Sequence, residues 1–159
     1  MKVATSNHRA VPAPKPRPAI ESARPEDAAA IAALLRAAGL PHEDFGAHLA
    51  HFLVMREAGK VVAAIGCERH GPEALLRSLV VAPDRQKRGV GDRLVRELSR
   101  QAKAGGVRRF FLLTTTAEKF FAARGFARVE RTAVPPAVAA TEEFRSLCPA
   151  SAVCMMRAV

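Results

Sequence analysis

The run Gln86-Lys87-Arg88-Gly89-Val90-Gly91 holds the residue types that an anion-binding turn requires. Gly89 and Gly91 let the backbone approach a ligand closely and adopt conformations that other residues resist. A helix starting at such a turn offers unpaired N–H groups and the positive end of its dipole. Arg85, Lys87 and Arg88 add charge outside that ring of amides. The chemistry implied is capture of a phosphate or pyrophosphate. An ordinary strand-to-helix turn with a solvated basic face has the same local composition, so the surroundings must discriminate. No Gly-Lys-Ser/Thr follows, which excludes a Walker site, and the third glycine and later acidic residue of a dinucleotide fingerprint are not in place.

Two further places carry polar groups where a site could form. Arg77 interrupts the apolar run Ala74–Val81, so its guanidinium must reach a partner or line a cavity. It either clamps a substrate carboxylate or other oxyanion in bidentate fashion, or forms a structural ion pair with Glu68 or Glu73. Thr114-Thr115-Thr116 offers hydroxyls and amides to a ligand, although a solvated, β-prone strand end has the same appearance. Cys148 has the chemistry of a nucleophile or soft ligand, but buried cysteine is usually a small core residue. Cys148 and Cys154 would lie about 20 Å apart along an extended chain, so joint ligation needs a bend. His42, His48, His51 and His70 show no metal-ligand spacing, and no metal site is expected. The Phe110-Phe111 and Phe120-Phe121 pairs read most simply as core.

Hydrophobic periodicity gives the elements that must position these groups. Ala19–Ala23 reads as a short strand. Arg24-Pro25-Glu26-Asp27 opens a helix, with Pro25 at its first position, acids at its positive end and Gly39 at its exit; Ile31, Leu34, Leu35 and Ala38 form its buried stripe. Leu40–His51 is expected to be a second, shorter helix. Strands Phe52–Glu57 and Lys60–Arg69 are joined through Ala58-Gly59, a hairpin signal, and His70-Gly71-Pro72 turns into strand Ala74–Val81, which Pro83 ends. Gly91–Ala104 is an amphipathic helix with Leu94, Val95, Leu98 and Ala102 on one face. Val107–Thr114 is a strand apolar enough for burial on both sides. A short helix Ala117–Arg124, a strand near Phe126–Arg131, a helix opened by Pro135-Pro136 and a last strand near Ala152–Arg157 complete the chain. The helix between Ala74–Val81 and Val107–Thr114 implies a parallel crossover, while the hairpins imply antiparallel pairing, so a mixed α/β sheet follows.

At 159 residues the chain is expected to hold one domain, over 19–159, preceded by a disordered basic tail over 1–18. Lys and Arg number 25 against 15 acids, for a formal charge of +10, and Lys2, Arg9, Lys15 and Arg17 place part of that excess in the tail. The remainder suits an anionic ligand or solubility. Nucleic acid is disfavoured, because Phe is the only aromatic type present and no nucleic-acid motif occurs. Three cysteines without framework spacing, no h-region after the basic start and no apolar run long enough for a bilayer point to a cytoplasmic protein with no membrane partner.

Strand, Val81-Ala82-Pro83, then Gln86–Gly91 opening a helix resembles the signature of the GNAT superfamily of N-acetyltransferases. A second signature of that family matches Phe120-Phe121-Ala122-Ala123-Arg124-Gly125-Phe126, and the element order agrees from about Ala19 onward. The resemblance implies a GNAT fold, a mixed sheet whose two central parallel strands splay apart, and acetyl-CoA as cosubstrate. It implies that Leu79, Val80 and Val81 hold pantetheine through their backbone. It also places Gln86, Lys87, Arg88, Gly89, Val90, Gly91 and Asp92 on the pyrophosphate and Phe121 beside the cofactor. Arg77, Thr114 and Thr116 would then face the substrate. Ala74–Leu79, Leu112–Ala117, Leu147–Ala152 and Val134-Pro135 with Thr141–Phe144 are similar more narrowly to the N-acetyltransferases of bacterial arsenic-resistance operons. That similarity implies a small amine or amino acid as substrate, an arsenic-containing amino acid among them.

Acetyl transfer needs a neutral amine, an oxyanion donor and a proton for the leaving thiolate. A main-chain amide near Val80 or Val81 suits the oxyanion. Many family members use a Tyr as the acid, but its position here is Phe121 and the chain contains no Tyr. Ser78 and Thr115 are the candidate catalytic groups in its place, with Cys148 and Ser151 as further donors, unless the thiolate leaves unassisted. The family's usual Glu on the strand before the loop is replaced by Arg77, which leaves Glu68, Glu73 or His70 to act as base through water. Acetylation of a protein lysine or N-terminus, and a catalytically weak acyl-CoA-binding regulator, are the competing functions. A homodimer is left open.

Overall fold

The computed structural model describes residues 11–12 and 17–159, so the expectation of a disordered tail over 1–18 falls almost wholly outside the described residues. Seven strands form one sheet: β1 (Ile20–Ser22), β2 (Phe52–Glu57), β3 (Lys60–His70), β4 (Glu73–Val81), β5 (Arg109–Thr114), β6 (Ala127–Arg128) and β7 (Val153–Ala158). Their order is β1-β2-β3-β4-β5-β7-β6, with β4 and β5 parallel and every other pair antiparallel. Helices α1 (Ala28–Ala37), α2 (Val90–Ala104), α3 (Glu118–Ala122) and α4 (Pro136–Ala139) connect them. This is the mixed sheet with one parallel central pair that the element order predicts.

Period-two alternation assigns the faces. Along β2, Phe52 and Val54 pack with Ile31 and Leu35 of α1, whereas Leu53 and Met55 join Leu94, Val95, Leu98 and Ala102 of α2 on the opposite face. On β5, Phe110 and Leu112 turn toward α2, while Phe111 packs with Val138 of α4. The sheet is therefore covered on both sides, which explains the nearly continuous apolar strands. Two-residue turns fix the hairpin registers: Ala58 and Gly59 both have positive φ, 50° and 76°, and Gly71 leads the next turn at 66°.

Three expected elements differ. Leu40–His51 is not an α-helix; an irregular stretch leads into a 3-10 segment at Phe45–His51, since Pro41 and Gly46 interrupt any longer helical ladder. The strand near Phe126–Arg131 contracts to Ala127–Arg128, and Arg131–Ala133 turns as 3-10 helix. The helix opened by Pro135-Pro136 stops at Ala139 and is followed by a π-type turn, Glu143–Leu147. Among the described residues no helix is long and apolar enough to cross a membrane.

Gly66 marks a tight point in this packing. A β-carbon there would lie 2.2 Å from the ring of Phe52, which is fully buried. Gly66→Ala forces that ring off its position and is expected to cost about 1–3 kcal/mol, read as a lower urea midpoint at unchanged slope; an unshifted midpoint would contradict this packing.

Candidate active site

The cleft originates in an irregularity of β4. Its pairing with β3 runs from His70↔Glu73 to Gly66↔Arg77 and then resumes at Ala64↔Val80, so β4 carries one extra residue in the interval. Ser78 absorbs it at φ 60°, a left-handed conformation that costs a non-glycine residue roughly 1–2 kcal/mol. The Ser78 hydroxyl accepts a hydrogen bond from Arg77 Nε at 3.0 Å, which holds the bulge. Pairing of β4 with β5 ends at Leu75↔Phe111. Beyond that point the strands part, and a cavity of about 310 Å³ opens between Leu76–Val81 and Leu112–Ala117, closed from the sides by Gln86, Phe121, Glu143 and Cys148.

The anion loop lies at one end of this cleft. Lys87 and Gly89 have φ of 63° and 76°, a backbone path that Gly89 adopts without steric cost. Arg93 N–H bonds to the Gly89 carbonyl at 3.1 Å, but the amides of Lys87–Asp92 have no acceptor among the described residues. Those of Val90, Gly91 and Asp92 belong to the first turn of α2, whose backbone donors point out of the helix end. Gln86 Nε2 donates to the Val81 carbonyl at 3.1 Å and ties the loop to the strand end. Gly91 lets the Phe120 ring approach, since an added β-carbon would sit 3.2 Å from it. The Arg124 guanidinium stacks on that ring at 3.6 Å and donates to Asp92 at 3.1 Å, so Asp92 braces the helix start. Arg85 differs from expectation: its guanidinium is held by Glu57 and Asp84 rather than turned to the loop, while Lys87 and Arg88 are exposed.

Phe121 lines the cavity and is 5% exposed, edge-on to Phe120 and Phe126 at 5.1 and 5.4 Å, so it serves as core and wall together and brings no proton. Thr114 Oγ1 accepts the Ala117 N–H at 2.9 Å, capping the turn into α3. Thr115 and Thr116 are exposed at the cleft edge. Ser151 is exposed and outside the lining.

Around Arg77 the structure brings together groups that the sequence keeps far apart. Arg77, with a side chain 0% exposed, donates to Asp44 at 2.6 and 2.5 Å and to Glu68 at 2.8 Å, and Glu143 lies 3.4 Å from its Nε. Its donors thus go mostly to protein carboxylates. The Glu68 alternative for an ion pair describes this geometry; Glu73 is bonded instead to Arg109 at the far end of β4. His48 Nε2 is 3.3 Å from Glu68, and neither Glu68 nor His70 lines the cavity. Burial acts against ionisation of Asp44, but the hydrogen bonds and charge of Arg77, with a backbone hydrogen bond and His48, together hold the carboxyl below its ordinary value. Glu143 responds oppositely: burial pushes it up to about 7, Arg77 pulls against that, and Asp44 and Glu68 add to the rise. Burial, with Glu143 nearby, pushes the Cys148 thiol up to about 11, so it is a neutral wall group at neutral pH rather than a thiolate. Among the described residues no group of three or more His, Cys, Asp and Glu is placed to hold a metal ion.

Asp44 and Glu143 were not singled out by sequence reasoning. They sit 33 and 66 positions from Arg77 in irregular segments, where no periodicity points at a partner. The one available signal was Arg77 itself, a buried cation that demands carboxylates. Arg77→Met strands three of them and is expected to lose about 3–5 kcal/mol of stability in urea unfolding; a loss below 1 kcal/mol would show that the network is not buried as described.

The Glu143 carboxyl also predicts a pH dependence. Its folded value, about 7, exceeds the ordinary 4.5, so the folded state holds a proton that the unfolded chain has released. Stability is therefore expected to fall as pH rises from about 4.5 to about 7, and Glu143→Gln should flatten that slope in thermal melts; an equal slope in both proteins would contradict the assignment.

Comparison with known proteins agrees with this geometry. A family model described as "Acetyltransferase (GNAT) domain" matches residues 48–128. An amino-acid acetyltransferase of Ralstonia nicotianae is 35% identical over 80 residues, 49% of this chain and 18% of that protein. N-acetylglutamate synthase from Neisseria gonorrhoeae, solved with coenzyme A and N-acetyl-glutamate, superposes with a TM-score of 0.79 at 23% identity, covering 91% of this chain and 36% of that one. PaiA N-acetyltransferase from Thermoplasma acidophilum, solved with coenzyme A, gives 0.68 at 14% identity over 91% of this chain and 100% of its own. The chain thus spans only a minor part of the first two proteins.

Proposed function

The chain belongs to the GNAT acetyltransferase family, and on that premise we propose that it transfers the acetyl group of acetyl-CoA to the amino group of a small amino acid. The observation that carries this reading is the cavity where β4 parts from β5, lined by Gln86 at the start of the loop whose amides, Lys87–Asp92, donate to no described residue. The amides, with Gln86 fixing the loop, take the pyrophosphate. The backbone of Leu79, Val80 and Val81 takes the pantetheine arm, and an amide at Val80 or Val81 faces the oxyanion. Phe121 supplies the apolar wall beside the thioester.

Amine and thioester meet between the bulge and the Thr114-Thr115-Thr116 end of β5. Ser78 accepts its hydrogen bond from Arg77, which leaves its own hydroxyl proton for the departing thiolate. Thr115, at the cleft edge, is the second donor. Thr116 meets the substrate from the same edge, while Arg77 and Thr114 shape the site through the contacts they already make.

Cavity size supports a small metabolite over a protein lysine, since about 310 Å³ lies at the low end for ligand pockets. The amino-acid acetyltransferase and the N-acetylglutamate synthase among similar proteins support the amino-acid class. An arsenic-containing amino acid is the narrower candidate. It rests on the likeness of Ala74–Leu79, Leu112–Ala117 and Leu147–Ala152 to the arsenic-operon enzymes, and residues from all three stretches line the cavity.

A thiol-release assay with acetyl-CoA and a panel of amino acids, polyamines and lysine peptides tests the reading. The highest kcat/KM is expected for an amino acid, at least tenfold above any lysine peptide. Tight CoA binding with no thiol released for any amine would overturn it.

A further inference from the structure

An attacking amine enters as an ammonium ion at neutral pH, and the stretch of β4 that lines the cavity, Leu76–Val81, carries Arg77 and no carboxylate. Accepting the acetyltransferase reading above, we infer that Glu143, on the π-type turn beyond α4, is the base that takes the proton from the substrate's ammonium group.

Geometry selects it from the carboxylates around Arg77. Both oxygens of Asp44 accept hydrogen bonds from Arg77, at 2.5 and 2.6 Å. Glu68 accepts from Arg77 at 2.8 Å, has His48 at 3.3 Å, and does not line the cavity. Glu73 is committed to Arg109. Glu143 lines the cavity with a side chain 6% exposed, and its carboxylate receives no hydrogen bond among the described residues; its nearest cation, Arg77 Nε, stands 3.4 Å away and is directed to Ser78. A buried acceptor that faces the substrate space without a donor of its own is what a proton acceptor requires.

The charges facing it come from four segments: Arg77 on β4, Glu68 on β3, Asp44 before the 3-10 segment, and the neutral Cys148 thiol just past the turn. Burial, reinforced by Asp44 and Glu68 and opposed by Arg77, leaves its carboxyl at about 7, close to the working pH of a general base. Three carboxylates against one guanidinium also favour a cationic group entering this end of the cleft.

The step balances. Glu143 accepts one proton from the ammonium nitrogen, and the freed lone pair forms the C–N bond to the thioester carbonyl. The C–S bond then breaks with its electron pair to sulfur. The second nitrogen proton passes to the Ser78 oxygen as that hydroxyl gives its own proton to the thiolate, and Glu143 returns its proton to solvent.

The test is steady-state kinetics of Glu143→Gln and Glu143→Asp with the best amino-acid substrate, alongside CoA titration. Glu143→Gln should lower kcat by about 10²–10⁴-fold at unchanged CoA affinity. The wild-type rise of kcat/KM that levels near pH 7 should give way in the variant to a rate that keeps climbing with pH. Glu143→Asp should recover part of the rate and the levelling. A Gln variant with wild-type kcat, or with the wild-type pH profile, would overturn the assignment while leaving acetyl transfer intact. Loss of CoA affinity in both variants would show a structural role and equally overturn it. A wild-type enzyme inactive on every amine would instead remove the acetyl-transfer reading, and this assignment with it.

Discussion

A single buried guanidinium organises one end of the cleft. Arg77 lies on the central strand and gathers carboxylates from the segment before β2, from β3 and from the C-terminal turn. Each ion is costly to desolvate alone, so Arg77 and the carboxylates that accept its hydrogen bonds, Asp44 and Glu68, depend on one another. The same guanidinium bonds to Ser78, which carries the extra residue of β4 at a positive φ. The bulge and the parting of β4 from β5 lie within a few residues of each other, so the charge network and the cleft are one construction.

The two ends of the cleft are built on different principles. At the loop end the chain offers main-chain donors: a left-handed step at Lys87 and Gly89, then the open first turn of α2. Side chains there serve mainly as braces, with Arg124 stacked on Phe120 and bonded to Asp92. At the other end side chains predominate, with three carboxylates gathered around one guanidinium. Phe121 separates the two as an apolar wall packed into the same core that supports α2 and α3.

The glycine loop and the helix it opens were legible in the sequence because they are local. Gly89, Gly91 and the helix that follows occupy consecutive positions, and the turn needs those residues in that order. The sheet was legible for a similar reason, since β2 to β5 alternate or run apolar and their turns carry Gly59 and Gly71 at positive φ. What escaped was contact between distant irregular segments. Arg77 reveals that it needs a counter-ion, but nothing in spacing says that Asp44 and Glu143 supply it. Expecting a helix over Leu40–His51 hid Asp44 further, because the 3-10 segment that replaces it starts just after that residue. Glu143 lay inside a stretch, Thr141–Phe144, noticed only for its likeness to the arsenic-operon enzymes, and its chemistry depends on burial that composition does not reveal.

The most direct measurement is a crystal structure of the full chain with acetyl-CoA or CoA. The pyrophosphate oxygens should lie within hydrogen-bonding distance of the amides of Lys87–Asp92, with the sulfur between Leu79–Val81 and Thr114–Thr116. Cofactor bound elsewhere on the surface, or a sulfur that never enters the gap between β4 and β5, would contradict the assignment of this cleft.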